Sequence, residues 1–279
     1  VSGGVSQALD LVCSLFTRPG QEVLVEEPTY FLALRIFADH GLRAIGLPTD
    51  RQGLIPEALR ESLRRSRPTL LYTVPTHQNP AGTTLPEDRR QEILALCREH
   101  GVLVVADEVY HLLTYRGEPP RPLAASAGEG GVLCLGSFSK ILAPGLRLGW
   151  VQGSPRLLER LASCGLLDSG GGLAPFTSAL VGSLLEQGTQ LAHLQSLRRT
   201  YGARARALES YLNAGLGANA EFSPPSGGFF FWVRLSGVRD TVALLPRARE
   251  AGVSFAPGRR FSTSGGLRQY LRLSFSYYD

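Results

Sequence analysis

Apolar residues recur along the first part of the chain in two alternating patterns. Apolar positions three and four residues apart predict helices over 6–16, 30–40, 56–65 and 86–100. Short continuous apolar runs predict buried strands over 22–26, 43–47, 69–74, 102–106 and 132–135. This alternation is typical of a mostly parallel sheet flanked by helices.

The pattern changes after Trp150, and a helix is predicted over 155–166. A glycine run at 170–172 predicts a flexible connection, and a long helical stretch with a break near Gly188 follows over 176–214. The remaining segments predict a strand, a helix and a final strand over 227–233, 241–251 and 270–275. We therefore predict an α/β fold with a large unit over 1–215 and a smaller C-terminal α/β unit over 216–279.

Composition narrows the class of protein. With 43% hydrophobic and 19% charged residues among 279, the chain is neither disordered, collagen-like nor a coiled coil, and it fits a compact soluble enzyme. The net charge of +5 comes mostly from arginines scattered along predicted helices, which favours solvated helix faces over a nucleic-acid surface. No apolar run approaches the ~20 residues that span a bilayer, so we expect neither nucleic acid nor membrane as a partner.

The cysteines and the start of the chain add two expectations. Four widely spaced cysteines lack zinc-ligand spacing and disulfide-scaffold density, which predicts reduced core thiols, no metal site and a cytoplasmic protein. The chain has no methionine and begins at Val1 without a signal-peptide pattern, so we expect a fragment of a longer product.

Polar residues that can carry chemistry follow the predicted strands. Lys140 comes just after the strand at 132–135, and a desolvated lysine amine forms Schiff bases with carbonyls such as pyridoxal phosphate. Asp107 ends another strand, where a carboxylate can hold a protonated pyridine nitrogen. Asn79 follows a third strand and can donate to a ring oxygen. Each residue by itself also has a structural explanation: Lys140 as a solvated loop lysine, Asp107 as a turn cap and Asn79 as part of an Asn-Pro turn.

A second group of residues has the character of an anion site. Arg147 with Ser137 and Ser139 can bind a phosphate through charge-assisted hydrogen bonds. The predicted first helix starts near Val5 and Ser6 after two glycines, and it offers backbone N–H groups to an anion. Because ligands of such sheets bind beyond the carboxyl ends of the strands, these groups together indicate one site.

The pattern resembles the fold-type I pyridoxal-phosphate enzymes, and within them the class I and II aminotransferases of the 2-aminoadipate and kynurenine aminotransferase branch. The resemblance covers nearly the whole chain and is most specific over 27–30, 75–82, 107–110, 137–149 and 270–276. It implies pyridoxal 5′-phosphate as the cofactor and transamination between an L-amino acid and a 2-oxo acid, with 2-oxoglutarate expected as the acceptor. It also implies a homodimer with the active site at the subunit interface.

The resemblance further implies a role for each matching residue. Lys140 forms the Schiff base and moves the proton, and Asp107 pairs with the pyridinium nitrogen. The residues expected to hold the rest of the cofactor are Asn79 and Tyr110 at the ring oxygen, Tyr30 stacked on the ring, and Val5, Ser6, Ser137, Ser139 and Arg147 at the phosphate.

Arg272 in the last predicted strand is the expected clamp for the substrate α-carboxylate, for which a planar guanidinium is suited. The alternative explanation for Arg272 is that it is an exposed arginine of the strand and pairs with a residue across the sheet. His77 is expected to be structural, because lysine performs the proton transfer in this family.

Departures from the family pattern leave other functions open. Val5 stands where relatives often carry Ser or Thr, and we expect a segment before Val1 and a final helix after Asp279 to be missing. The alternative function is the aminotransferase-like effector domain of a MocR-type transcription regulator, which an upstream helix-turn-helix would favour. A third interpretation is a C–S lyase or decarboxylase on the same scaffold, since the cofactor supplies the bond-breaking chemistry.

Overall fold

The structure, a computed structural model, describes residues 1–126, 130–169 and 174–277, so the connection predicted at 170–172 lies outside the described residues. Strands β1 to β7 are Glu22–Glu27, Arg43–Asp50, Gly53–Leu54, Leu70–Thr73, Leu103–Asp107, Val132–Ser137 and Gly149–Gly153. Strands β8 to β11 are Ala220–Glu221, Phe230–Leu235, Ala256–Pro257 and Tyr270–Ser274. Helices α1 to α10 are Val5–Phe16, Phe31–Asp39, Pro56–Arg65, Glu87–Glu99, Leu123–Ser126, Pro155–Ala162, Gly165–Asp168, Pro175–Glu186, Thr189–Leu216 and Leu245–Glu250.

The first seven strands form one sheet in the order β3-β2-β1-β4-β5-β6-β7. Its five central strands are parallel, whereas β3 and β7 run antiparallel to their neighbours at the two edges. Every residue of β4 and β6 is buried, because helices cover both faces of the sheet. One face packs on a core that includes Val12 and Phe37, and the other on a core that includes Leu59 and Ile93. The predicted mostly parallel sheet is confirmed.

Two details at the β6–β7 edge differ from the prediction. Strand β7 was not predicted, since it begins and ends with glycine and pairs only at the sheet edge. Its Trp150 ring lies across Gly136, where an added Cβ would come within 2.1 Å of the indole. The single helix predicted over 155–166 is two helices, α6 and α7, because Cys164 is extended with φ −75° and ψ 144°.

The last four strands form a separate antiparallel sheet in the order β10-β11-β9-β8. Strand β9 begins at Phe230, later than predicted, because Gly228 turns the chain with φ +70°. The core of this sheet includes Phe231 and Leu271 together with Ala205 and Leu212 of α9. The predicted unit 216–279 therefore shares its core with helix residues that precede it, and its boundary stays a prediction.

The structure also shows the state of the cysteines and the character of the helices. Cys13, Cys97 and Cys134 are buried and Cys164 is half-buried, and all four are free thiols. Within the described ranges, no helix combines the length and the apolar character needed to cross a membrane.

Candidate active site

A cavity of about 390 Å³ lies beyond the carboxyl ends of β4, β5 and β6, and residues of β9 and β11 close its opposite side. The carboxyl ends of neighbouring parallel strands meet at one edge of a sheet, so side chains that follow different strands converge there. The cavity is lined by every residue predicted for the site, namely Val5, Ser6, Tyr30, Asn79, Asp107, Tyr110, Ser137, Ser139, Lys140, Arg147 and Arg272. Their individual roles stay predictions.

Asp107 places a buried carboxylate at the floor of this cavity, with only 3% of its surface exposed. Its Oδ2 accepts a hydrogen bond from the Tyr72 hydroxyl at 2.7 Å, and the Val109 N–H donates to Oδ1 at 3.4 Å. Burial raises the pKa of Asp107 to about 6, although both hydrogen bonds and the charge of Lys140 act to lower it. A cationic ring nitrogen on a ligand would neutralise this carboxylate.

Lys140 is the only lysine of the chain; all the others among its 29 basic residues are arginines. It follows β6 and lines the cavity. Burial lowers the pKa of its amine, Asp107 opposes that shift, and the positive charges of Arg147 and Arg272 add to it. A lysine with a lowered pKa is a nucleophile towards carbonyls. An arginine, which stays protonated in proteins, cannot replace it.

The Arg147 region forms an anion cradle. Arg147 Nη1 donates to the Ser139 hydroxyl at 3.2 Å, and the Ser139 N–H donates to Ser137 Oγ at 3.1 Å. Helix α1 begins after Gly4 without a side-chain cap, and the first N–H groups of a helix have no partner within it. Gly4 has φ +100°, and an added Cβ there would lie 2.9 Å from Arg147 Nη2. A side chain at this position would fill the space that an anion needs.

Arg272 of β11 faces the cavity from the side of the small sheet. Its Nη1 donates to Asn79 Oδ1 at 2.7 Å, so the two sheets meet across the site. The guanidinium carbon lies 4.0 Å from the centroid of the Phe230 ring and 5.0 Å from that of Phe261. Its Nε is buried without a hydrogen-bond partner. An orphaned guanidinium donor of this kind fits an incoming carboxylate better than a cross-strand pair.

Two positioning features were missed by the sequence analysis. Tyr72, the donor to Asp107, lies within the apolar run of β4, and its only signal was a hydroxyl inside a buried strand. Glu26 of β1 is fully buried and accepts hydrogen bonds from Thr73 Oγ1 at 2.7 Å, the Val74 N–H at 3.1 Å and Gln78 Nε2 at 3.1 Å. Burial raises its pKa to about 7. These bonds fix the loop that leads to Asn79.

His77 is buried beside this loop and does not line the cavity. Its Nε2 lies 2.8 Å from Thr114 Oγ1 and its Nδ1 lies 3.3 Å from Thr84 Oγ1. Burial lowers its pKa to about 4. A Cβ on Gly227 would come within 2.0 Å of the ring, so the glycine makes room for the histidine. These contacts agree with a structural role.

The cavity therefore combines a buried carboxylate, one primary amine and an anion cradle that a glycine keeps open. These groups fit the pyridine nitrogen, the aldehyde and the phosphate of pyridoxal 5′-phosphate. The sequence profile of the family "Aminotransferase class I and II" matches residues 1–277, and the chain belongs to that family. It is an aminotransferase with pyridoxal phosphate as its cofactor.

Individual relatives are similar over almost the whole chain. The 2-aminoadipate transaminase of Thermus thermophilus is 36% identical over 285 residues, which cover 100% of this chain and 70% of the relative. The crystal structure of Pyrococcus horikoshii kynurenine aminotransferase in complex with PMP has a TM-score of 0.95 at 35% identity, over 100% of this chain and 70% of that one. The Bacillus subtilis protein described as an uncharacterized HTH-type transcriptional regulator, YisV, is 33% identical over 99% of this chain and 57% of its own length.

Proposed function

We propose that the protein transfers the amino group of an L-amino acid to 2-oxoglutarate, with Lys140 bound to the cofactor as a Schiff base. The observation that carries this proposal is the position of the chain's single lysine. In a chain whose other basic residues are all arginines, the one primary amine on a side chain lines the cavity that also holds Asp107 and the anion cradle. Among protein side chains, only a primary amine forms a Schiff base with a carbonyl group.

The bound cofactor supplies an electron sink for negative charge at the substrate α-carbon. The chain's own residues supply the rest. Asp107 holds positive charge on the ring nitrogen, and Lys140 carries the proton to and from the α-carbon. Arg272 binds the α-carboxylate through its unpartnered Nε. The residues that orient the cofactor are Val5, Ser6, Ser137, Ser139 and Arg147 at the phosphate, Tyr30 against the ring, and Asn79 and Tyr110 at the ring oxygen.

The proposal extends to assembly and location. Phe176 and Leu191 near the start of α8 and α9 are 83% and 61% exposed, which supports a homodimer that covers apolar surface. Four free thiols support a reducing, cytoplasmic location. We keep the division into units 1–215 and 216–279 as part of the same proposal.

The test is chemical labelling of the amine. Pyridoxal phosphate is added to the purified protein, the Schiff base is reduced with borohydride, and peptides are mapped by mass spectrometry. Lys140 is the single side-chain primary amine of this sequence. We expect the pyridoxyl group on Lys140 and its loss in Lys140→Arg, which keeps the charge. A label confined to the N-terminus contradicts the proposal.

Turnover is followed by absorption spectra of the unreduced protein. Glutamate or 2-aminoadipate should convert the visible band to that of the pyridoxamine form, and 2-oxoglutarate should restore it. The similarity to the Bacillus regulator supports a second candidate function, that of an effector-sensing domain. In that case amino acids shift the band but never convert it.

A further inference from the structure

The guanidinium group of Arg90 in α4 is a buried cation that the proposed chemistry does not use. Arg90 is 0% exposed, and each of its guanidinium nitrogens donates a hydrogen bond. Nε donates to the Leu85 carbonyl at 2.7 Å and Nη1 to the Arg121 carbonyl at 3.0 Å. Nη2 donates to the Pro75 carbonyl at 2.9 Å and to the Thr76 hydroxyl at 2.8 Å. These bonds compensate for the water that the buried charge has lost.

Three of these four acceptors belong to residues 75–85, here called the Asn79 loop. Two of them lie at its start, soon after β4, and Leu85 lies at its end. The Leu85 N–H donates to the Pro75 carbonyl at 2.9 Å, so the two ends of the loop meet. Arg90 therefore binds both ends of the loop, and Asn79, which lines the cavity, lies between them.

Glu26 of β1 holds a second part of the Asn79 loop. It accepts a hydrogen bond from Gln78 Nε2 at 3.1 Å, one residue before Asn79. Asn79 itself accepts, at Oδ1, a hydrogen bond from Arg272 Nη1 at 2.7 Å. The backbone that carries Asn79 is therefore fixed from two elements, α4 and β1, and its position determines where the Asn79 amide lies in the cavity.

The ion pair of Arg90 is longer than its hydrogen bonds. Nη1 lies 3.9 Å from Glu108 Oε1, an oxygen that accepts a hydrogen bond from the Leu123 N–H at 3.0 Å. A separation of 3.9 Å is too long for a hydrogen bond. Replacement of a buried ion pair by apolar side chains of similar size is often neutral for stability. The four short, directional bonds, three of them to the Asn79 loop, therefore define what this buried cation contributes.

We propose that Arg90 is a positioning residue, which holds the Asn79 loop so that the Asn79 side chain meets the ring oxygen of bound pyridoxal phosphate. Arg90 does not line the cavity, so it acts through Asn79. The inference rests on the role of Asn79 in the proposed function and deepens it, because it names the residue that sets the position of that amide. Loss of Arg90 should therefore resemble loss of the Asn79 side chain.

The test compares proteins with and without Arg90 in the Glu108→Gln background. Arg90→Met alone would leave Glu108 as a buried charge without its partner, which destabilises a fold. Glu108→Gln removes that charge and keeps an oxygen that can accept from the Leu123 N–H. In this background we expect Arg90→Met to weaken the binding of pyridoxal phosphate about tenfold, measured by calorimetry. The absorption maximum of the bound cofactor should move in the same direction as in Asn79→Ala, because both variants disturb the hydrogen bond to the ring oxygen.

A double-mutant cycle shows whether Arg90 acts through Asn79. Once Asn79→Ala has removed the amide, Arg90→Met in the same Glu108→Gln background should change the affinity less than about twofold. Fully additive effects overturn the inference, since Arg90 would then serve only the fold. An unchanged affinity in Asn79→Ala overturns both the inference and the role of Asn79. Neither result alters the labelling of Lys140, so the two proposals fail separately.

Two further positions keep the test independent of the Arg90 substitution. Thr76→Val removes one of the four acceptors with little change of volume and should weaken cofactor binding about twofold, whereas Thr76→Ser keeps the hydroxyl and should bind as the parent protein does. Arg89→Met is the matched control, because it removes the same charge one residue away and Arg89 donates to Asp50, outside the Asn79 loop. Unchanged cofactor binding in Arg90→Met, or equal weakening in Arg89→Met, overturns the inference.

Discussion

The two sheets form unlike walls of the same cavity. On the side of the large sheet, Asp107 and Tyr72 are buried and hydrogen-bonded to each other. On the side of the small sheet, Arg272 is half-buried, packs on aromatic rings and keeps an unpartnered Nε. On the first wall, Asp107 already accepts hydrogen bonds from the Tyr72 hydroxyl and the Val109 N–H. On the second wall, the buried Nε donor of Arg272 has no partner among the described residues.

This difference suggests a division of labour. A buried carboxylate that is already held by hydrogen bonds, such as Asp107, is pre-organised for steps that recur with every substrate. A half-open aromatic wall with spare guanidinium donors can distinguish one substrate from another. The hydrogen bonds of Arg272 with Asn79 and of Thr263 with Glu27 join the two walls. Substitutions on either wall therefore act on the same cavity, and their effects on activity can be compared.

The largest expected effect is that of Asp107→Asn on the buried wall. Loss of the charge partner of the ring nitrogen should lower transamination about 100- to 1000-fold, the size of effect that loss of one pre-organised electrostatic contact has on a catalysed rate. In the cofactor-free protein, the same substitution should increase the free energy of unfolding. Burial raises the pKa of Asp107 from 3.8 to about 6, so this carboxyl costs stability as the pH rises through that range.

Thermal unfolding from pH 4 to 8 measures this effect. Asp107→Asn should become more stable than the parent protein by about 1–3 kcal/mol above pH 6, with little difference near pH 4. Asp50→Asn is the control, because its hydrogen bond with Arg89 lowers the pKa of Asp50 and its removal gives no such gain. Equal stability of Asp107→Asn and its parent at pH 8 would contradict the assigned burial cost.

A smaller effect on the same wall is expected from Tyr72→Phe. The variant loses the hydroxyl that donates to Asp107 at 2.7 Å, so the pKa of that carboxyl should rise further. We expect about a tenfold loss of kcat/KM and an acid limb of its pH profile that moves to higher pH. Tyr211→Phe changes an exposed tyrosine and should leave the profile in place. A lower rate with an unmoved acid limb would indicate a packing defect instead.

The smallest effect is expected on the wall of the small sheet. Thr263→Val removes one of two hydrogen bonds from Thr263 to Glu27, so residues 258–263 should be held less firmly against the end of β1. We expect KM for a dicarboxylic substrate to rise about two- to fivefold with kcat nearly unchanged. Thr263→Ser keeps the hydroxyl and should behave as the parent protein. A drop in kcat alone would indicate that residues 258–263 act in the chemical step.

On the wall of the large sheet, some functional groups could be predicted from the sequence and others could not. Buried parallel strands are continuous apolar runs, so the polar residues that follow them, including Asp107 and Lys140, could be identified one by one. Tyr72 and Glu26 could not be identified, because the sequence does not show which hydrogen-bond partner a polar group inside an apolar run will have. The edge strand β7 was also missed, since its pairing with β6 is a long-range contact that has no local pattern.

By itself, the sequence determined the five parallel strands of the large sheet and the helices between them, because periodicity is a local property of the chain. Its motifs determined the family resemblance and the predicted site residues, which line the cavity. Only the tertiary structure decided which side chains share a hydrogen bond, how far burial moves the pKa of Asp107, and that Arg260 lies on Phe31. Phe31 and Arg260 are far apart in the sequence. Contacts and desolvation arise only when such segments pack together.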